Sequence, residues 1–159
     1  QLLPGETAVD NPEALIARIG FDSVTSYVWV HDAPLPQSPE TPYAEVLEKV
    51  ESVWQRNVGR FGVPYYPNIT MGWDSSPRCN QDDPFGNTGY PFTNILGGNT
   101  PAAFRNALER VKAFIDSHPN TNKTITINCW NEWTEGSYLE PDTENGMAYL
   151  EAIRDVFRP

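Results

Sequence analysis

Apolar positions along the chain fall into two alternating periods. Val46, Leu47, Val50, Val53 and Trp54 recur at helical spacing, as do Phe104, Leu108, Val111, Phe114 and Ile115. Each set predicts a helix that buries one apolar stripe. A further stripe of Met147, Leu150, Ile153 and Phe157 predicts a helix from about Thr143. Between these lie runs rich in Val, Ile, Thr and aromatic residues, at 23–30, 63–71 and 124–130, which read as strands. Asn11-Pro12, Thr41-Pro42 and Thr100-Pro101 each set a capping side chain before a first-turn proline, and Gly20 closes a short leading helix.

The order is therefore a helix followed by three units of strand, loop and helix. Strands that alternate with helices need crossovers and imply a parallel sheet. The loops after strands are long and chemically rich, whereas those after helices are short. That asymmetry fits a (β/α) barrel, whose active site is built from loops at the C-terminal ends of its strands. A whole barrel takes eight units and about 250 residues. The expected fold is thus α/β: the C-terminal part of a (β/α)8 TIM barrel, about three β/α units over residues 1–159, with the N-terminal units absent. The start at Gln1, without an initiator Met, suits a processed chain or a piece of a longer one. The competing architecture is a small open α/β sheet, which would leave long apolar edges uncovered.

Composition narrows the partners. A formal charge of -10 argues against nucleic acid and anionic membranes, which demand basic patches. Hydrophobic content of 39% makes general disorder unlikely, and 15 Pro with 11 Gly predict long ordered loops. No apolar run reaches the length of a membrane span, and no signal peptide is visible. Cys129 lies in an apolar run and reads as a buried thiol; a bridge to Cys79 requires their strands to be neighbours. Of two glycosylation sequons, the one at Asn68 falls within an expected strand, where a glycan would not fit. The one at Asn122 falls in a polar turn and suits a secreted protein, toward which the location leans.

The chemistry concentrates at 131–142, directly after the last strand. Glu132, Glu135, Glu140 and Asp142 crowd there with Trp130, Trp133 and Tyr138. Cleavage of a glycosidic bond normally takes two carboxyl groups, and flat aromatic faces suit sugar rings. Glu132 and Glu135, three residues apart on a turn, can face one pocket, with Trp130 and Trp133 desolvating one of them into the range of a general acid. The plainer alternative is a solvated acidic loop at a helix N-terminus, a role that fits Glu140, Asp142 and Glu144.

The residues from Asn131 to Gly136, then Leu139-Glu140-Pro141 and the helix around Tyr149 to Ile153, resemble the final barrel strand of the WbsX-type family. That family was first described as glycosyltransferases of polysaccharide biosynthesis. The pattern is also similar to the endo-α-mannosidases (glycoside hydrolase family 99-like), whose signature is Glu-Trp-x-Glu-Gly. Gly72-Trp73-Asp74, within 67–77, resembles the preceding strand of the WbsX-type proteins. The mannosidase resemblance implies catalytic roles for both glutamates. Glu132 would be a base on the sugar's own 2-hydroxyl, and Glu135 the general acid/base. Thr134 stands where those mannosidases have histidine, which bears on mannoside specificity more than on the carboxylate chemistry.

Around this pair, Trp73, Asp74, Asn131, Trp133 and Tyr138 are candidate sugar-binding residues on the same rim. For Trp73 the alternative is core packing, and for Asp74 a turn with Ser75 and Ser76. Strand alternation would put Tyr27, Trp29 and His31 on one face, with depth changing toward the rim. His118 lies at a helix end without ligand-like spacing, so neither a metal nor another cofactor is expected. Gly97-Gly98-Asn99 lacks the lysine of a phosphate-binding loop. The expected partner is an oligosaccharide or polysaccharide. The reading is a retaining endo-type glycoside hydrolase, against which stand a glycosyltransferase and a non-catalytic glycan-binding module.

Overall fold

A computed structural model describes residues 11–158; the ends of the expected 1–159 unit lie outside it. The leading helix α1, Pro12–Ile19, is built as its sequence demands. Asn11 Oδ1 accepts from the Ala14 amide at 2.9 Å, and Gly20 closes the helix at φ 82°.

Strand β1 is only Val24–Thr25, and the chain then turns into a short helix α2, Trp29–Asp32. Side-chain demand explains the early end. The Trp29 amide donates to Thr70 Oγ1 and its indole to the Asn68 carbonyl, both at 2.9 Å, drawing the residue into the core. Tyr27, Trp29 and His31 therefore do not share a strand face, which corrects the alternation argument.

Strand β2, Glu40–Pro42, pairs in parallel with β5, Ile95–Gly97. Both fall in stretches that read as loop or helix cap. Thr41 is fully buried, with its hydroxyl on the Gln37 backbone rather than on a helix amide. Helix α3 consequently runs Tyr43–Asn57, with Pro42 as its cap. Its whole expected stripe is buried.

The run at 63–71 divides into β3, Tyr65–Tyr66, and β4, Asn68–Thr70, around Pro67, which has no N–H to donate. β3 pairs in parallel with β1, and β4 with β6, Thr126–Asn128. The Thr25 and Thr126 hydroxyls meet at 2.8 Å, tying the outer two strands of this arrangement together. Helix α4, Pro101–Ser117, is capped by Thr100 and buries its expected stripe together with Ala107. After β6 the chain forms an antiparallel hairpin from β7, Asn131–Glu132, and β8, Ser137–Tyr138.

The last helix, α5, spans Ala148–Phe157 and so begins later than its apolar spacing suggests. Residues 142–146 are instead held in a turn: Asp142 Oδ1 accepts from the amides of Glu144, at 2.8 Å, and Asn145. Met147 consequently stays 52% exposed, while Tyr149 and Ala152 provide the buried face. α5 packs along α4, and one apolar core joins α3, α4 and α5 to β3, β4 and β5.

The architecture is thus α/β, with helices packed on short parallel strand pairs. Cys79 and Cys129 are both free thiols, so no bridge forms. Cys129 Sγ donates instead to the Ser137 carbonyl at 3.0 Å, clasping the hairpin. Asn68 is buried in β4, whereas Asn122 is exposed in a turn at φ 51°. No described helix is long and apolar enough to cross a membrane.

Candidate active site

The hairpin β7–β8 sets the geometry. Glu132 ends β7, residues Trp133–Glu135 make one turn of 3₁₀ helix, and Gly136 reverses the chain at φ 59°. A side chain at Gly136 would be strained by that angle, and its Cβ would also lie 3.0 Å from Asp74 Cβ. The Asp74 amide donates to the Glu135 carbonyl at 2.7 Å, locking the turn onto the loop that follows β4.

Both glutamates meet one cation. Arg78, at the end of the 3₁₀ turn Ser76–Arg78, brings Nη2 to 2.7 Å from Glu132 Oε1 and 3.6 Å from Glu135 Oε1. Its Nε donates to Thr134 Oγ1 at 2.9 Å and its Nη1 to the Tyr90 hydroxyl. Tyr90 in turn donates to Glu135 Oε1 at 3.0 Å, and Thr134 to Glu132 Oε1 at 2.9 Å. The two acids differ in setting: the Glu135 side chain is 12% exposed and that of Glu132 37%.

The neighbouring ionisable groups feel this charge. Desolvation opposes the Arg78 cation, but the nearby Glu135, Tyr90 and Glu132 outweigh it and raise its pKa. Desolvation and then the hydrogen bond and charge of Glu135 push the Tyr90 phenol up, with Arg78 pulling the other way. Tyr27 has a largely exposed ring, yet desolvation and the Glu135 charge raise its phenol, against a hydrogen bond with Asn128. Tyr27 therefore belongs to the same electrostatic neighbourhood.

The other residues selected from sequence divide. Trp29 is 1% exposed and packed on Tyr43, a core residue that presents no face to a sugar. His31 is exposed, its ring 6.0 Å from that of Tyr27. Trp73 is mostly buried and donates to Thr93 Oγ1 at 3.0 Å, and Asp74 Oδ1 accepts from the Ser76 amide at 2.9 Å. Those are the packing and turn roles weighed against sugar binding. Both nevertheless border a cleft of about 420 Å³ beside the turn, shared with Gly136 and Tyr138. The charged residues lining it, Glu40, Asp74 and Glu144, are all acidic.

Asn131 is exposed opposite Tyr138 in the hairpin. Trp133 stacks on Tyr138 with centroids 3.7 Å apart, and its indole donates to Glu140 Oε2 at 2.6 Å. Its ring is thus braced by Tyr138, while Trp130 stands 52% exposed. Asp142, as expected, serves the local turn: chiefly the Asn145 amide holds its carboxyl below the usual range. Among the described residues no group of His, Cys, Asp and Glu could hold a metal ion.

Arg78 and Tyr90 did not emerge from the sequence. Both lie in the long stretch 72–99, which has no apolar period, and they reach the glutamates across 54 and 45 residues. One usable signal was charge: an acid pair in so acidic a chain calls for a cation, and Arg78 follows Trp73-Asp74 in the same loop.

An α/β scaffold that presents paired carboxylates and exposed aromatic rings on one hairpin is the frame of a glycan-related protein. The chain belongs to the WbsX family: the family model described as Glycosyltransferase WbsX matches residues 21–153. It is also similar to two proteins described as uncharacterized protein WxcX, from two strains of Xanthomonas campestris pv. campestris. Identity is 34% over 92 residues in each case, covering 57% of this chain and 12% of the relative. The chain therefore matches only a small part of those relatives' length. No solved structure matches it significantly.

Proposed function

We propose that this chain carries the reaction centre of a retaining endo-type glycoside hydrolase similar to the endo-α-mannosidases. One observation supports this most directly: Glu132 and Glu135 place their Oε1 atoms 2.7 and 3.6 Å from a single Arg78 nitrogen. The two oxygens therefore lie closer than the ~6.5 Å at which inverting pairs begin. Glu132 takes the proton of the substrate's 2-hydroxyl, and that oxygen closes on the anomeric carbon. As the glycosidic bond breaks, Glu135 gives its proton to the leaving oxygen. In the second step Glu135 takes a proton from water, which attacks the anomeric carbon, and Glu132 returns its proton to the 2-oxygen. Trp133, Tyr138, Asp74 and Tyr27 border the sugar.

The scaffold reading extends the same way. The parallel pairs β1–β3 and β4–β6, with the hairpin following β6, support a segment of a (β/α) barrel with its site at the C-terminal ends of the strands. A second reading, a glycosyltransferase of polysaccharide assembly, is favoured by the family's description. Hydrolysis of α-mannosides and other glycans by the full-length protein, assayed beside transfer from activated sugars, separates the two. Absence of any hydrolysis sinks the first reading. Glu135→Gln should abolish turnover while glycan binding persists; a binding module would have no turnover to lose.

A further inference from the structure

All three nitrogens of the Arg78 guanidinium face protein acceptors. Nε is taken by Thr134, Nη1 by Tyr90 and Nη2 by the two glutamates. An arginine that recognised an anionic substrate would keep part of its fork open toward the ligand. Here three of the five N–H groups bond protein oxygens and Nη2 also faces Glu135, so that only the second N–H of Nη1 stands outside these contacts. Resting on the glycosidase reading above, we infer that Arg78 is a positioning residue that, through the Thr134 and Tyr90 hydroxyls, fixes Oε1 of both glutamates as acceptors and leaves Oε2 of each to the substrate.

The inference follows from proton counting. Arginine donates only. Each hydroxyl that receives its N–H must therefore point its own proton elsewhere, and each has one carboxylate in reach. Thr134 directs its proton to Glu132 Oε1 at 2.9 Å and Tyr90 directs its proton to Glu135 Oε1 at 3.0 Å. The two halves match: each glutamate oxygen receives one hydroxyl proton and faces the same Nη2. An oxygen so supplied is a poor place for a further proton. The proton that Glu135 gives and regains belongs on Oε2, and so does the one Glu132 takes from the sugar. Thr134 thereby gains a function at the position where the mannosidase-like pattern has histidine: it relays the cation to Glu132. Tyr90 does the same for Glu135 from a different loop, so the hairpin and the stretch 72–99 are registered at the acids themselves.

The test uses the full-length protein carrying Arg78→Met, Arg78→Lys, Thr134→Val or Thr134→Ser. Arg78→Met should lower kcat about 100-fold with KM within about threefold of wild type, as misaligned reacting groups do. Thr134→Val should lower kcat roughly tenfold, and Thr134→Ser, which keeps the hydroxyl, should restore it. A large rise in KM with kcat preserved in Arg78→Met would mean that Arg78 binds substrate, and would overturn the inference. A second readout needs no turnover. Tyr90, identified by its loss in Tyr90→Phe, should ionise at higher pH in Arg78→Met than in wild type, because the cation holding it down is gone. An unmoved Tyr90 titration overturns the arrangement whatever the kinetics. A moved titration in a protein without hydrolysis keeps the charge geometry and rejects only the glycosidase reading.

Discussion

Gly72 lies where the loop after β4 passes against the turn that carries Glu135, and Gly72→Ala tests how rigidly that turn is held. A Cβ there would sit 2.4 Å from the Gly136 carbonyl oxygen and 2.5 Å from Asn99 Nδ2, whereas real Cβ contacts essentially never fall below 3.0 Å. Both neighbours must retreat by about half an ångström or more. Neither is free to do so. The turn is locked by the 2.7 Å bond from the Asp74 amide to the Glu135 carbonyl, and Asn99 Nδ2 donates to the Met71 carbonyl at 2.9 Å. Overpacking of a filled interior costs about 1–3 kcal/mol. Weakening the Asn99 hydrogen bond adds about 1 kcal/mol. We expect a loss of roughly 2–4 kcal/mol in urea unfolding followed by tryptophan fluorescence.

Two comparators make that measurement decisive. A Cβ at Gly59 would meet nothing within 4 Å, so Gly59→Ala should stay within about 0.5 kcal/mol or gain slightly. Among the described glycines Gly97 has the shortest such contact, 1.8 Å to Glu40 Oε1 and 2.3 Å to its Cγ, yet all of these atoms belong to one exposed side chain that can swing into solvent as a whole. Gly97→Ala should cost less than about 1 kcal/mol despite its worse nominal clash. If the glycosidase reading holds, Gly72→Ala should also lower turnover on the order of 100-fold, because Glu135 moves with its turn. Unfolding of Gly72→Ala within about 0.5 kcal/mol of wild type would refute the rigidity argued for the turn.

Burial and neighbouring negative charge push the Tyr149 phenol up to about 12, and its hydroxyl donates to the Asn99 carbonyl at 2.6 Å. The unfolded chain ionises this group near 10, so its stabilisation is complete below that pH and is lost as pH rises toward 12. Unfolding measured across that window should show the decline. Tyr149→Phe should remove that component at a cost of about 1 kcal/mol at neutral pH. Leu108→Ala, in the filled core, should cost about 2–5 kcal/mol, whereas Met147→Ala should fall within about 0.5 kcal/mol. Equal losses at the two sites in thermal or urea unfolding would contradict the late start of α5.

The two long helices were legible because a buried stripe is a property of the sequence itself. All five stripe residues of α3 and all five of α4 are in the core. The strands were legible only as regions. Trp29 shows why: its two hydrogen bonds to 68–70 override the local β preference of 23–30. β2 and β5 were invisible because three residues become a strand only when a distant partner arrives. The helix after 142 begins late because Asp142 first spends its carboxylate on nearby amides, a competition that the apolar period does not register. At the site, the acid pair was legible as a local motif, as were Trp133 and Tyr138. Arg78 and Tyr90 were not, since nothing local marks a residue whose partner is supplied by folding.

The hairpin that carries the glutamates has a consequence for how such a protein diversifies. Glu132 and Glu135 are separated by two residues within one turn, and Gly136 closes it. In a site assembled from different strands, the distance between two acids drifts whenever the strands shift. Here the backbone spacing of the two acids is covalent, and Arg78 and Tyr90 of the stretch 72–99 set only the direction of their side chains. The stretch 72–99 is bound to that turn through Asp74, Arg78 and Tyr90, so it must keep its register while residues elsewhere along the cleft vary. If the proposed chemistry holds, the backbone spacing of the acid pair needs no distant strand to set it, and only the orientation of its side chains is left to tertiary contacts.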